Sequence, residues 1–553
     1  MTQAWEIENF LDIRDNQLHI DGVSAVDLAC EHGTPLFIFS ETRIRHNIAR
    51  LQKAGEVIDC PLKVCYAAKA MSTMGILKAV KDAGCDIEVN SGGELWKALE
   101  IGFRGDQIIF NGTSKEIWEI ENAINAEIYA IQVDSLYELY LIEETAKRLG
   151  KQANVSLRLV PEIESRTHSG LQTALLTSKF GMMPDEAFSA FRDYKDSPHV
   201  DIRGIHLHVG SQNPDPIVYS QALALLFENV IKAHSETGIK LQHVNLGGGF
   251  PVDYLRGQQE PRLPDEIQKI ADDAKRTLDE ALAKGYFEHK NRDGGITRSP
   301  VPKHLTEKIA RENMLAASYD PAIVIAEAWE QVRRKTAITS TEHLLANLTI
   351  LLEPGRSIIS DAGICLTTVR NVKERPLSDI NSSMANKSAI NREKEEHERK
   401  KRGREGVTFG IYGIQRGFVD PTTTAEHWLL TDAGFNILLS METYKWYYHL
   451  ISAERPAVEH DFPYKVAGPL CDGGDVYFDI EGERRLPEYR ALPRDVEPGE
   501  ILALLNCGAY SLAQASQYNG RFLPALVLIK KDGKAELIRK RDDFRDLITN
   551  DLY

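Results

Sequence analysis

Short apolar runs alternate with stretches of helical periodicity from about residue 35 to 360. Turn-forming residues bound the runs, which is typical of buried strands. The candidate strands are Leu36–Phe39, Lys63–Tyr66, Asp86–Val89, Gln107–Phe110, Ala130–Val133, Val155–Arg158, Gly204–Val209, Val244–Leu246 and Thr349–Leu352. Strands that alternate with helices indicate βα units around a parallel sheet, and there are enough of them for an eight-stranded barrel.

Two stretches interrupt this alternation. About a hundred residues separate Pro251 from Glu353, whereas a βα unit needs about a third of that length, so the spacing predicts an insertion at about 255–325. Inside it, apolar residues at helical spacing predict a core-packing helix from Asp265 to Gly285. The second stretch lies at about 375–405 and is almost wholly charged and of mixed sign from Asn391 to Glu405, which predicts an exposed loop or a frayed helix.

The pattern changes after about residue 362. β-rich segments separated by glycine and proline follow, for example Gly406–Tyr412 and Phe522–Ile529, and they predict an all-β domain. We therefore divide the chain into a barrel at 36–362 and a β domain at 363–553.

Composition excludes several classes of protein. The chain has 553 residues, 42% hydrophobic and 27% charged, which is typical of a globular protein of about two domains. Its net charge of −15 argues against a nucleic-acid binder. We expect a cytoplasmic protein with no membrane partner, because no apolar segment approaches ~18 residues and the N-terminus does not have the pattern of a signal peptide.

The seven cysteines are scattered, with no CxxC pair, so we predict no metal site and expect reduced thiols. Six of them are typical of small buried residues. Cys471 stands among glycine, aspartate and proline in a loop-like segment and is a candidate for chemistry.

Five motifs lie, in chain order, at the carboxyl ends of predicted strands or in the β domain. They are Tyr66-Ala-Ala-Lys-Ala70, His206-Leu-His-Val-Gly-Ser-Gln212, Asn245-Leu-Gly-Gly-Gly-Phe-Pro251, Glu353-Pro-Gly-Arg356 and Gly468-Pro-Leu-Cys-Asp-Gly-Gly-Asp475. In (β/α)8 barrels the loops after the strands form the active-site face. A lysine, a glycine-rich loop, an arginine and a thiol are therefore expected near one another.

This ordered set resembles the fold-type III pyridoxal phosphate-dependent decarboxylases, the group that contains diaminopimelate, ornithine and arginine decarboxylases. The resemblance covers nearly the whole chain outside the two insertions. It implies a (β/α)8 TIM-like barrel followed by an all-β domain, to which the N-terminal segment 1–35 adds a strand. It also implies pyridoxal 5'-phosphate as cofactor, an amino acid as substrate, and a homodimer whose active sites lie between subunits.

The resemblance assigns roles to residues that match the family motifs. Lys69 matches the lysine that holds the cofactor as a Schiff base, and a partly desolvated amine beside a cationic partner is expected to be deprotonated near neutral pH. Glu353 matches the carboxylate that pairs with the pyridine nitrogen. His208 matches the residue that stacks on the ring, and His206 is interpreted as a core histidine.

Further matches concern the cofactor's phosphate and its surroundings. Glycine backbone N–H groups and an arginine are typical phosphate ligands, and the matching residues are Gly247, Gly248, Gly249, Gly355, Arg356, Ser211 and Tyr510. Arg158 matches an arginine that supports the cofactor. Glu88 stands where the family has aspartate, and Asn90 stands where it has alanine.

The loop with Cys471 matches the segment that each subunit inserts into its partner's site. There the thiol protonates the carbon that has lost CO₂, and Asp472 meets the distal amine of the substrate. Tyr518 matches a residue that lines the pocket near the subunit interface.

The segment after Asp432-Ala-Gly-Phe-Asn436 bears on the substrate. Diaminopimelate decarboxylases place an arginine there that holds the distal carboxylate, and this chain has Ser440. Asp472, with Glu442 and with Tyr444 nearby, favours a basic tail such as that of ornithine, lysine or arginine, in the L or the D form. Diaminopimelate is the alternative. A racemase is disfavoured by Glu353 and by the Cys471 loop.

Overall fold

The computed structural model describes residues 3–160, 178–258, 265–290, 294–336, 348–376, 425–480 and 485–552. The strands are β1 Leu11–Arg14, β2 Gln17–Ile20, β3 Val23–Ser24, β4 Leu36–Ser40, β5 Leu62–Ala67, β6 Asp86–Val89, β7 Ile108–Phe110, β8 Ala130–Val133, β9 Ala153–Arg158, β10 Val200–His206, β11 His243–Asn245, β12 Tyr286–Lys290, β13 Ile296–Pro300, β14 Thr349–Leu352, β15 Gly363–Pro376, β16 Ala425–Thr431, β17 Leu450–Ser452, β18 Phe462–Ala467, β19 Arg490–Leu492, β20 Ile501–Leu504, β21 Ala525–Ile529 and β22 Ala535–Arg539. The helices are α1 Ala25–His32, α2 Glu41–Gln52, α3 Met74–Asp82, α4 Gly92–Ile101, α5 Ile117–Asn125, α6 Leu136–Leu149, α7 Pro184–Tyr194, α8 Ile217–Thr237, α9 Asp265–Lys284, α10 Lys303–Ala316, α11 Pro321–Thr336, α12 Arg356–Ile359 and α13 Leu439–Thr443.

Eight strands close into a barrel in the order β5-β6-β7-β8-β9-β10-β11-β14. Every pairing in it is parallel. These strands are almost wholly buried, because barrel residues face either the interior or the surrounding helices. The predicted (β/α)8 barrel is confirmed.

One candidate barrel strand belongs elsewhere. β4 lies in the sheet of the β domain, antiparallel to β15 and parallel to β21. Side chains of a strand alternate between faces: Phe37 and Phe39 pack in the cluster that includes the barrel, whereas Leu36 and Ile38 pack in the cluster of the β domain. The assignment of Leu36–Phe39 to the barrel is wrong, because an apolar run does not reveal which sheet buries it.

The β domain is built on a nine-stranded sheet whose main path runs β19-β18-β16-β15-β4-β21-β22. Off this path, β20 pairs with β15 and β17 pairs with β20. The N-terminal segment forms a separate three-stranded sheet, β1-β2-β3. This small sheet packs on the β-domain cluster through residues such as Leu18, and the Leu18 N–H donates to the Ala453 carbonyl at 2.9 Å. The N-terminal segment therefore joins the β domain as a sheet of its own.

The first predicted insertion is largely described. α9 begins at Asp265 as predicted, and a β12–β13 hairpin and α10 follow it. Among the side chains described for α9, Ala281 is buried, Leu278 and Leu282 are half-buried and the others are exposed, so its core packing is limited to one end. α11 then packs on α8, and β14 is the next strand that is described.

The charged insertion at about 375–405 lies outside the described residues, apart from its first two positions, which end β15. The candidate strand Gly406–Tyr412 also lies outside them. Of the helices that are described, none is long and apolar enough to cross a membrane.

Candidate active site

Polar side chains from neighbouring strands meet at the carboxyl ends of the barrel. Lys69 lies in a single 3-10 turn directly after β5, and Glu88 lies in β6. Asn111 directly follows β7, Asn245 ends β11, and Glu353 directly follows β14. These strands are neighbours in the barrel, so the sequence-distant side chains are brought together at one face.

Lys69 is held by acceptors from the next strand. Its Nζ lies 3.2 and 3.3 Å from the two carboxylate oxygens of Glu88 and 3.3 Å from Asn90 Oδ1. Burial lowers the pKa of Lys69, but electrostatic interaction with Glu88, Tyr510 and Glu353 outweighs the effect of burial, so the pKa is raised. Glu88 therefore favours the ammonium form of Lys69.

Glu353 is buried and accepts two amide hydrogen bonds. Asn245 Nδ2 donates to Oε1 at 2.6 Å, and Asn111 Nδ2 donates to Oε2 at 3.0 Å. Burial, followed by repulsion from Glu88, raises the pKa of Glu353 to about 7. The amide donors and the charge of Lys69 oppose that rise, since both favour the carboxylate form.

Asn111 bridges the two carboxylates. The same Nδ2 that bonds Glu353 also donates to Glu88 Oε1 at 2.8 Å. Lys69, Glu88, Asn111 and Glu353 thus form one continuous hydrogen-bonded chain. Sequence reasoning missed Asn111 and gave no role to Asn245; the available signal was a polar residue at the end of each of two barrel strands.

Two histidines at the end of β10 differ in their contacts. His206 is buried, and its Nε2 lies 3.5 Å from Glu353 Oε2, so this histidine adjoins the site. His208 lies just after the strand, and its Nδ1 accepts from the Gly248 N–H at 3.2 Å. Burial, Lys69 and Arg158 lower the pKa of His208 to about 3, which keeps its ring neutral.

The glycine loop after β11 has no space for side chains. A Cβ on Gly248 would lie 2.2 Å from the Glu353 carbonyl oxygen, and one on Gly249 would lie 2.1 Å from the Gly210 carbonyl oxygen. Gly249 also has a φ of +96°, which favours glycine. The close approach of three loops therefore requires these glycines. Without side chains, the backbone of the glycine loop itself lines the site.

Arg356 begins α12 and is almost fully buried. Its Nη1 donates to the Tyr254 hydroxyl at 2.8 Å, and its Nε donates to Ser211 Oγ at 3.3 Å. The guanidinium lies 4.5 Å from the Trp446 ring and 4.7 Å from the Tyr510 ring. The structure thus brings Ser211, Arg356 and Tyr510 together as predicted, and adds Tyr254 and Trp446, which no motif indicated.

Tyr510 also connects this arginine to the lysine. Its backbone N–H donates to the Ala70 carbonyl at 3.0 Å. The residue adopts a φ of +56°, a strained conformation for a side chain other than glycine. Strain of this kind is concentrated at functional sites.

Arg158, at the end of β9, contacts an acidic side chain and an aromatic ring. Its Nη1 is 3.9 Å from Asp134 Oδ1, and its guanidinium is 4.3 Å from the Phe180 ring. Burial lowers the pKa of Arg158. These contacts fit a residue that supports the site through charge.

Cys471 and Asp472 lie in a second, exposed group. The Cys471 N–H donates to Asn519 Oδ1 at 2.7 Å, and the Tyr518 hydroxyl donates to Asp472 Oδ2 at 3.3 Å. Asp475 anchors this loop, because its buried carboxylate accepts from the backbone of Phe435 and of Leu470. No hydrogen bond within the described residues joins Cys471 or Asp472 to Lys69 or Glu353.

Ser440 and Tyr444 lie in the β domain, in or directly after α13. Ser440 is buried, and its hydroxyl donates to the Tyr510 carbonyl at 3.0 Å and to Gln514 Oε1 at 3.1 Å. The carbonyl of half-buried Tyr444 accepts from Arg311 Nη2 at 2.7 Å. Ser440 thus lies beside Tyr510, and Tyr444 lies beside Arg311.

The donor set fits pyridoxal 5'-phosphate. It offers an amine at Lys69, a buried carboxylate at Glu353, and an arginine with a glycine loop for an anionic group. Buried polar atoms without a protein partner, among them Asn111 Oδ1 and Ser357 Oγ, leave hydrogen-bonding capacity in and beside the same group of residues.

Comparison with known proteins gives matches along the whole chain. A family model described as the pyridoxal binding domain of pyridoxal-dependent decarboxylases matches residues 42–290. A diaminopimelate decarboxylase of Methanocaldococcus jannaschii is 28% identical over 552 residues, covering 98% of this chain and 96% of the relative. One of Bacillus subtilis is 26% identical over 545 residues, covering 98% and 97%.

A solved structure is similar to the same extent. The diaminopimelate decarboxylase of M. jannaschii in co-complex with L-lysine has a TM-score of 0.70 and 27% identity, and covers 99% of this chain and 98% of that one. The resemblance inferred from the motifs is thus confirmed. Residues 42–290 match the pyridoxal binding domain of pyridoxal-dependent decarboxylases, and the chain is similar along its whole length to amino acid decarboxylases of this kind.

Proposed function

We propose that this enzyme decarboxylates a diamino acid and that its substrate is meso-diaminopimelate. The observation that supports the substrate is the full-length similarity to enzymes named diaminopimelate decarboxylases. The Asp472–Tyr518 pair, which carries a carboxylate for a distal amine, supports the substrate class. We further propose that the enzyme is a cytoplasmic homodimer.

The residues around Lys69, Glu353 and Arg356 each have a proposed role toward the cofactor. Lys69 holds it covalently, Glu353 pairs with its pyridine nitrogen, and His208 stacks on its ring. The phosphate is bound by Arg356, Ser211, Tyr510, Gly355 and the backbone of Gly247, Gly248 and Gly249. Pyridoxal 5'-phosphate supplies an electron sink for the breaking Cα–carboxylate bond.

The neighbouring charges support these roles. Glu88 holds the Lys69 ammonium in place, and Arg158 adds positive charge near both carboxylates. Asn111 and Asn245 orient the Glu353 carboxylate and favour its ionised form.

Loss of Asn111 is expected to shift the pH dependence of the reaction. Asn111→Leu removes a donor to the Glu353 carboxylate, so the pKa of Glu353 rises. Because the proposed role needs the ionised form, the acidic limb of the kcat profile should move to higher pH, with kcat near neutral pH about tenfold lower. A profile unchanged from wild type would contradict the assigned role of Asn111; Asn122→Leu, on the surface of α5, serves as the matched control.

Cys471 is the proposed proton donor, and it acts in the partner subunit's site. Cys471 is exposed, and within the described residues no hydrogen bond joins it to Lys69, which agrees with action in another subunit. Cys471→Ala should lower the rate of amine formation by about 10²-fold or more while cofactor binding stays intact. Mixing Cys471→Ala with Lys69→Ala subunits should restore part of the activity; no restoration would argue against shared sites.

A second candidate substrate is a basic amino acid without a distal carboxylate: ornithine, lysine or arginine, L or D. Ser440 favours it, because the family's arginine for a distal carboxylate is absent here. Lys445 does not replace that arginine, since its Nζ is paired with Glu442 at 2.9 Å.

Measurement of kcat/KM for CO₂ release separates the two candidates. The holoenzyme is assayed with meso-diaminopimelate and with both enantiomers of lysine, ornithine and arginine. A clear preference for meso-diaminopimelate supports the proposal. A preference for one of the other compounds replaces it with the second candidate.

A further inference from the structure

Arg311, on α10 in the insertion, fixes the backbone of the segment that follows α13. Its Nη2 donates to the carbonyl oxygen of Tyr444 at 2.7 Å and to that of Lys445. Its Nε donates to the carbonyl oxygen of Arg485 at 3.3 Å. A guanidinium shared by carbonyls of two separate segments restrains both of them.

The segment restrained by Arg311 is followed directly by Trp446, whose ring packs against Arg356. Trp446 follows Lys445, and its ring lies 4.5 Å from the Arg356 guanidinium. The ring also makes an edge contact with Tyr254, with centroids 5.2 Å apart. Tyr254 in turn accepts a hydrogen bond from Arg356. A shift of the Lys445 backbone would therefore move one wall of the arginine site.

The C-terminal end of α10 also forms hydrogen bonds with two other segments around Arg356. The Leu315 carbonyl accepts from the Tyr254 N–H at 2.8 Å. The Met314 carbonyl accepts from Gln212 Nε2 at 2.8 Å, and Gln212 follows Ser211, whose hydroxyl accepts from Arg356. Tyr254 is thus bonded directly to one turn of α10, and Ser211 and Trp446 are linked to that turn through the residues next to them in the chain.

We propose that α10 positions the anion-binding site at Arg356 and that Arg311 is its principal positioning residue. The inference rests on the proposed function, in which Arg356 binds the cofactor's phosphate monoester. It assigns the insertion a positioning role, in which α10 connects barrel loops at Gln212 and Tyr254 to the β-domain segment at Tyr444.

Comparison of two ligands tests this positioning role. Dissociation constants are measured for pyridoxal 5'-phosphate and for pyridoxal, which lacks the phosphate, by equilibrium dialysis. In Arg311→Met, the preference for the phosphorylated ligand should fall about tenfold. Lys303→Met, a change at an exposed lysine of the same helix, should leave the preference unchanged.

The ratio of the dissociation constants for pyridoxal and pyridoxal 5'-phosphate distinguishes a positioning role from a general loss of structure. An unchanged ratio in Arg311→Met, or an equal weakening of both ligands, would overturn the inference. If Arg311→Met does not fold, Arg311→Lys replaces it; this variant keeps the charge but not the planar fork, so the ratio should fall about threefold, and an unchanged ratio would again overturn the inference.

Arg356→Met tests the underlying assignment separately. It should abolish most of the preference for the phosphorylated ligand. If the preference persists in Arg356→Met, the phosphate role in the proposed function fails. If it is lost there but kept in Arg311→Met, only the role of α10 fails.

Discussion

Lys69→Ala should lower the rate of decarboxylation by about three orders of magnitude or more, because the substitution removes the covalent attachment of the cofactor and the amine that exchanges with substrate. The variant should also lose the visible absorbance of lysine-bound cofactor. Lys69 is paired with Glu88 and Asn90, so its loss leaves those acceptors without a cation.

Chemical rescue provides the control for this variant. Added methylamine should restore part of the activity of Lys69→Ala, because a small amine can occupy the space of the deleted side chain. Lys97→Ala, at a lysine whose Nζ bonds Ser72 Oγ, should keep both absorbance and activity. Wild-type turnover by Lys69→Ala would refute the role of this lysine.

Glu353→Gln should lower kcat by about 100-fold or more while leaving KM nearly unchanged. Glutamine has nearly the same shape but no charge, so it cannot keep the cofactor's pyridine nitrogen protonated. One of its amide hydrogens must also face Asn111 or Asn245, both of which donate to the carboxylate. The measurement is steady-state kinetics across a range of pH.

Glu88→Gln is the matched comparison for that variant. It changes the neighbouring carboxylate in the same way, and Glu88 also accepts from Asn111. Its effect on kcat should be smaller, because Glu88 acts through Lys69 and Glu353. Equal effects of the two variants would contradict the distinct role assigned to Glu353.

Much of the site could be predicted because its chemistry is carried by short motifs at strand ends. Lys69, Glu353 and Arg356 each stand one to four residues beyond a barrel strand, and the barrel collects such positions at one face. The assignment of β4 to the barrel failed because β4 carries no such motif. Its apolar residues do not indicate which sheet buries them.

The missed residues depend on contacts between distant segments. Asn111 acquires its role only when β6, β7 and β14 place Glu88 and Glu353 on either side of its amide. Trp446 and Tyr254 come from the β domain and a loop, and they meet at Arg356. Arg311 lies in α10, beyond the helix predicted from Asp265 to Gly285, and its role depends on which backbone its side chain contacts.

The proposed reaction converts a diamino acid into CO₂ and an amine at the site built around Lys69. Its most direct test is to incubate the holoenzyme with carboxyl-labelled meso-diaminopimelate and to quantify labelled CO₂ together with lysine. We expect equimolar CO₂ and lysine, both absent with Lys69→Ala. Consumption or inversion of the diamino acid without release of CO₂, in holoenzyme with its cofactor bound, would contradict the proposed reaction.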